Sequence, residues 1–214
     1  MVASIALAIP ASGSVTTDAL KTEADPPPFA SVTRLTQAER RAMTPSAWRR
    51  GCPVPLRALR VVRVRHWTFS GRTRVGRLVV HRRVARQVAR IMKDLSSAKF
   101  PIRRMRPIQR FGGSDYASIE ADNTSAFNCR YVDGTQRWSM HAYGRAIDVN
   151  PIENPYVSRG RTSHPASDEY VARRPERLGM LLPGSAALRA FDAAGWTWGG
   201  RWRGAKDYQH VSAP

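Results

Sequence analysis

Between Leu59 and Phe69 the chain reads LRVVRVRHWTF, apolar residues alternating with basic ones, and after a Ser70-Gly71 turn the same manner continues from Arg77 to His81. A period of two is that of side chains alternating across a pleated strand, so the stretch predicts a β-hairpin. Apolar residues then return at Val84, Val88, Ile91, Met92 and Leu95. That three-to-four spacing is the signature of a helix lying on the sheet. A layered α+β domain follows, with a small antiparallel sheet flanked by helices.

The remaining elements are placed by their end signals. Residues 1–33 combine Ser, Thr, Ala and the Pro26-Pro27-Pro28 run without periodicity, and read as a leader or linker ahead of a single domain over 34–214. Thr36-Gln37-Ala38-Glu39 has the form of a capping box, and Thr44-Pro45 puts a cap residue before a proline, so two short helices are expected before Gly51. Residues 100–110 (FPIRRMRPIQR) look like a further strand ended by Gly112-Gly113, and 144–150 (GRAIDVN) like another. Ser185 is placed to cap a helix through Ala194 with Gly195 as its left-handed terminator, and Trp196 to Trp198 restart extended structure.

Composition narrows the function classes. The 214 residues suffice for one domain with a proper core, and no apolar run approaches a membrane span. Thirty-five basic residues against 16 acidic ones give a formal charge of +19, a field that attracts polyanions. No basic helix with interleaved aromatics accompanies it, which argues against specific nucleic-acid binding and leaves an anionic cell wall or membrane surface. The two cysteines, Cys52 and Cys129, are too few for a structural zinc site; they form one long-range disulfide in an oxidising compartment or stay as two buried thiols. Ala6-Leu7-Ala8 resembles a signal-peptidase site, yet no basic residue precedes it. A truncated secretion signal would place the protein outside the cell or at the wall, and an ordinary leader in the cytoplasm.

The candidate chemistry lies in four side chains. His141 and Asp148 are seven residues apart with Gly144 between them, and Asp207 and His210 form a second pair near the C-terminus. Catalytic zinc takes three ligands from His and Asp/Glu and keeps a fourth position for water, a count that His141, Asp148 and His210 satisfy. Asp207 is then available to take the proton of that water and pass it to a leaving amine. An odd spacing places two strand residues on opposite faces, so His141 and Asp148 converge only if the chain bends, and Gly144 permits the bend. His66, His81 and His164 lack a partner at ligand spacing and read as structural or exposed.

Ser139-Met140-His141-Ala142-Tyr143-Gly144-Arg145-Ala146-Ile147-Asp148 resembles the SxHxxGxAxD signature of the D-alanyl-D-alanine carboxypeptidase and L-alanyl-D-glutamate endopeptidase family, whose metal-binding core is shared with the hedgehog signalling domain. Gly195-Trp196-Thr197-Trp198-Gly199-Gly200-Arg201-Trp202 and Asp207-Tyr208-Gln209-His210 resemble its GWxWGGxW and DxxH block, and Asn123 to Arg130 and Glu153 to Tyr156 also look like segments of the family. The resemblance implies a hedgehog/DD-peptidase-like fold, one Zn²⁺ on His141, Asp148 and His210, and Asp207 as general base. Many members carry glutamate where this chain has the shorter Asp207. It further implies an arginine upstream of the first histidine that polarises the scissile carbonyl, a place Arg130 fills unless it is one more arginine of a basic surface. Ser139, Tyr143 and Trp198 stand as metal-shell or substrate-binding residues, with core and pocket wall the plainer role for Trp196, Trp198 and Trp202. The implied activity is cleavage of the peptidoglycan stem peptide by a monomer, most simply as a D-alanyl-D-alanine carboxypeptidase. The alternatives are an L-alanyl-D-glutamate endopeptidase and a zinc-containing wall-binding module without turnover, while the basic surface would gather the protein on anionic wall polymers.

Overall fold

The computed structural model describes Met1 and residues 29–214. Strands β1 (Ala30–Arg34), β2 (Leu59–Trp67) and β3 (Thr73–His81) form an antiparallel sheet in the order β1-β2-β3. The predicted hairpin is β2-β3, in register from Leu59 opposite His81 to Trp67 opposite Thr73. Its Val61-Val62 doublet breaks strict alternation because both faces are covered: Val62, Val64, Leu78 and Val80 pack into the larger core, and Leu59, Val61 and Val79 into a smaller one. Residues 30–33, read as the end of the linker, are instead the start of β1, paired with Val61 to Val64 of β2. The rest of the proposed leader lies outside the described residues.

Helix α1 (Gln37–Met43) carries the predicted capping box: Thr36 Oγ1 accepts from Glu39 N at 3.1 Å and Thr36 N donates to the Glu39 carboxylate at 2.9 Å. The second short helix is not formed. Thr44 is extended because a residue before proline is pushed out of the helical region, and it ends α1 instead. Helix α2 (Ala85–Ser97) buries Val88, Ile91, Met92 and Leu95 against the hairpin, as the spacing predicts.

Residues 100–110 do not make a long strand. Only β4 (Arg104–Met105) is formed, parallel to β5 (Asn123–Thr124), between Pro101 and Pro107, neither of which has an N–H for a ladder. Helix α3 (Asp115–Glu120) follows, capped by Ser114. A second sheet has the order β6-β10-β8, from β6 (Ala146–Asp148), β8 (Thr197–Trp198) and β10 (His210–Ser212), and a two-stranded ladder joins β7 (Tyr156–Val157) to β9 (Lys206–Asp207). Helix α4 (Ala186–Ala193) has Ser185 as N-cap and is followed by Gly195 at φ +74°, both as expected. Ile147, Val149, Val211, Trp196, Trp198, Leu188 and Phe191 join the hairpin and α2 in the larger core, which ties the two sheets together. The architecture is mixed α+β with small sheets.

The family-like segment around Glu153 is a polar core. Asn154 Oδ1 accepts from Leu181 N at 2.7 Å while its amide donates to the carbonyls of Val149, Asn150 and Gly179, fixing the chain where it leaves β6. Arg103 binds Asp122 at 3.1 Å and Glu153 at 2.8 Å. Burial, helped by the charge of Asp122, pushes the Glu153 carboxyl up to about 8 against the opposing pull of Arg103.

Cys52 and Cys129 form a disulfide across 77 positions, in contact with the smaller core. Closing a loop of that length should contribute about 4 kcal/mol through the unfolded state. Replacing both cysteines by serine is expected to lower the denaturant-derived stability by that order. A change below about 0.5 kcal/mol would show the bond to be irrelevant to folding.

Candidate metal centre

The second sheet brings two of the four candidate side chains together by register alone. His210 on β10 lies directly opposite Asp148 on β6, so their side chains share a face. Asp148 is pinned from its other side as well, its N–H donating to Ser125 O at 2.9 Å and its carbonyl accepting from Ser125 N at 3.0 Å. His141 arrives from a 3₁₀ turn, Met140–Tyr143, that Ser139 caps by accepting the His141 N–H at 3.2 Å. Gly144 ends that turn at φ +65°, which makes the bend required by the seven-residue spacing. A Cβ at Gly144 would also sit 2.7 Å from His81 N, so the turn packs directly on the hairpin's end.

The three side chains converge in a buried cluster. His141 Nε2 lies 3.0 Å from Asp148 Oδ2 and 3.1 Å from His210 Nδ1, and His210 Nδ1 lies 3.3 Å from Asp148 Oδ1. Tetrahedral ligands at about 2.0 to 2.1 Å from an ion stand roughly 3.3 Å from one another, and these closest approaches, which use both oxygens of Asp148, are of that size. His141 Nδ1 is 2.6 Å from Ala126 O, a contact that requires Nδ1–H to donate and leaves the Nε2 lone pair facing the cluster. The electrostatics agree with a cation site. Burial works against both charges, yet Asp148 raises the His141 pKa, and the two histidines hold the Asp148 carboxyl far below the usual carboxylate range. Burial lowers His210.

Asp207, on β9 opposite Tyr156, stands beside this cluster close enough to feel the charges of Asp148 and His141. Its burial, with the charge of Asp148 next, pushes the carboxyl up to about 8. Its Oδ1 is buried without a hydrogen-bond partner.

Residues 133–213 match a family model described as D-alanyl-D-alanine carboxypeptidase. This stretch is a D-alanyl-D-alanine carboxypeptidase family domain. No curated protein and no solved structure matches the chain. The carboxypeptidase family domain holds His141, Asp148, Asp207 and His210, together with Ser139, Tyr143 and Trp198, while Cys52, Cys129 and Arg130 precede it.

Two glycines of the family domain's GWxWGGxW block are required by close approach. A Cβ at Gly199 would lie 2.4 Å from Asp207 O and 2.8 Å from Asp207 Cβ, and one at Gly200 2.3 Å from the Trp198 ring. Gly199→Ala is therefore expected to displace Asp207 and to lower peptide hydrolysis on the order of 100-fold with metal content unchanged. Equal kinetics in the variant would show that the position of Asp207 does not matter.

The structure sorts the other candidates. Trp198 is core, its indole N–H donating to Tyr208 O at 2.7 Å, and Trp196 packs beside Phe191. Trp202 is the tryptophan at the centre: partly exposed, its ring centroid is 5.5 Å from that of His210. Tyr143 is exposed at the end of the 3₁₀ turn. Arg130 lies where its charge reaches His141, His210 and Asp207. Its guanidinium pairs at 2.8 Å with Asp115, a residue that no motif singled out. Asp115 sits just after Gly112-Gly113, in a stretch whose sequence carries no motif.

Proposed function

We propose that the chain is a zinc-dependent peptidase that hydrolyses a peptide bond of the peptidoglycan stem peptide, of the D-alanyl-D-alanine carboxypeptidase type. The observation that carries this reading is the convergence of His141 Nε2, Asp148 and His210 Nδ1 at mutual distances of 3.0–3.3 Å inside a domain of that family. Zinc held by these three residues would supply Lewis acidity, making water a nucleophile near neutral pH and polarising the scissile carbonyl.

The chain's own residues supply the rest. Asp207 accepts the proton of the attacking water on its partnerless Oδ1 and returns it to the leaving amine; burial raises the carboxyl's affinity for a proton in the metal-free protein, and a cation bound beside it would favour the ionised form that starts the cycle. The Arg130 guanidinium, whose charge reaches His141, Asp207 and His210, stabilises the negative charge that develops on the carbonyl oxygen or is carried by the substrate's terminal carboxylate. Trp202 forms part of the cleft wall beside His210. The Cys52–Cys129 disulfide supports an oxidising location outside the cell, where a formal charge of +19 would hold the enzyme on anionic wall polymers. Among the described residues no helix is long and apolar enough to cross a membrane.

Mass spectrometry of muropeptides digested with and without a chelator tests the reading. Chelator-sensitive loss of one terminal alanine is the expected result. Release of the stem by cleavage between L-alanine and D-glutamate would reassign the same centre as an endopeptidase, and intact muropeptides after incubation with zinc-loaded protein would refute peptidase function.

A further inference from the structure

Two segments that precede the family domain meet beside the metal centre. Asp115 is the first residue of α3, and Arg130 closes the segment running alongside the His141 turn. Asn128 N donates to His141 O at 3.2 Å, and Ser139 N donates to Arg130 O at 3.1 Å. The segments are tied together without their charged side chains: Asn128 Nδ2 donates to Gly113 O at 3.3 Å, and Cys129 N donates to Ala47 O at 3.0 Å. A Cβ at Gly113 would lie 2.3 Å from Ser46 O, so the loop ahead of α3 rests on the same turn. The ion pair is therefore not what joins these segments. It fixes a side chain.

A guanidinium has five N–H donors in one plane. Asp115 Oδ2 forms an ion pair with the NH2 end of Arg130 at 2.8 Å, and Tyr131 O accepts from NH1 at 3.3 Å. Asp133 stands 3.8 Å from NH1 with its side chain 98% exposed, too distant and too well solvated to anchor the group. Nε is buried with no partner. A buried donor in that condition is costly unless an acceptor arrives. Asp115 itself is not among the three residues whose donor atoms converge, although its charge is felt by His141, Asp148 and Asp207.

We infer that Asp115 is the positioning residue of Arg130, anchoring the guanidinium by its NH2 end so that its charge is held beside the metal centre for a carbonyl or carboxylate oxygen of the substrate. The substrate class rests on the peptidase reading; the anchoring rests on the ion pair alone. Without Asp115 the guanidinium would be held only by the Tyr131 carbonyl and by a solvated neighbour.

The test has one arm that needs no turnover. In ¹⁵N-labelled protein the Arg130 Nε–Hε resonance, recognised by its loss in Arg130→Lys, should exchange with water at least about tenfold faster in Asp115→Asn and recover in Asp115→Glu. Unchanged exchange in Asp115→Asn would overturn the inference whether or not the chain cleaves peptide. In the kinetic arm, Asp115→Asn should lower kcat/KM on a synthetic stem pentapeptide about 10- to 100-fold with zinc affinity unchanged. It should cost nothing more in an Arg130→Ala background. A loss carried by kcat assigns the guanidinium to the scissile carbonyl, and one carried by KM to the terminal carboxylate. Losses that multiply in the double variant would overturn the inference. A wild-type protein that cleaves nothing while its Arg130 resonance responds as expected would refute the peptidase reading and leave the anchoring in place.

Discussion

Asp148→Asn is expected to abolish stoichiometric zinc binding and to lower peptide cleavage by about three orders of magnitude or more, the loss anticipated when several kcal/mol of metal-supplied stabilisation are removed. The substitution preserves size, and the backbone bonds that pin residue 148 to Ser125 do not involve the side chain. What changes is the charge between two histidine nitrogens. An amide oxygen is a neutral, weaker ligand, and the carboxylate whose pKa the histidines hold far down is the only anionic member of the converging set. Elemental analysis after dialysis against zinc, run beside the muropeptide assay, checks both halves. Near one zinc per chain with wild-type cleavage would remove Asp148 from the metal shell.

Asp207→Asn should behave differently, keeping zinc near one per chain while turnover falls about 10²- to 10⁴-fold, the range for loss of a general base. The geometry gives the reason: Asp207 lies outside the three converging residues, and its unpartnered Oδ1 has an acceptor's role to lose. Asp207→Glu offers a finer reading, since many family members carry glutamate here, and substantial retained activity is expected if reach is adjustable. The same residue has a stability signature in the metal-free protein. Its folded pKa of about 8 lies above its unfolded value of about 4, so the native state holds the extra proton. Stability from that proton is fully present below about pH 4 and is lost as pH rises through 8. Metal-free Asp207→Asn should therefore lose less stability between pH 5 and pH 9 than the wild type, as read from denaturant midpoints. Parallel losses in the two proteins would show that Asp207 does not carry the shift.

The parts of this molecule legible in its sequence are those with short-range causes. Alternation over Leu59 to His81 and the spacing from Val84 to Leu95 are local patterns, and both became the elements they predict. The capping box at Thr36 and the left-handed Gly195 were equally local. Errors arose where local and global signals part. Thr44-Pro45 satisfies a helix-start rule, but the same proline pushes Thr44 into extended structure. Residues 100–110 have the apolar content of a strand, yet Pro101 and Pro107 leave ladder positions without donors. β1 was hidden because it is five residues long and gains its meaning only from pairing with β2.

The metal centre shows the same division. Spacing made His141, Asp148 and His210 candidates, and the bend at Gly144 was readable from the odd interval between the first two. The cross-strand register that sets His210 against Asp148 was not readable, since it depends on a ladder between strands more than sixty positions apart. The Ala126 carbonyl that orients His141 carries no side-chain signal at all. Asp115 was invisible because its role exists only through Arg130, and the three tryptophans of GWxWGGxW, all readable as core or pocket wall, are told apart only by packing, which sets Trp202 beside His210.

On the proposed reading, one zinc ion at His141, Asp148 and His210 makes this chain a peptidase. Stripping the protein with a chelator and titrating zinc back while following release of D-alanine from a stem pentapeptide tests it most directly. Activity should rise from near zero and level at one equivalent of zinc per chain. Cleavage that persists in the stripped protein, or that never appears on reloading, would contradict it.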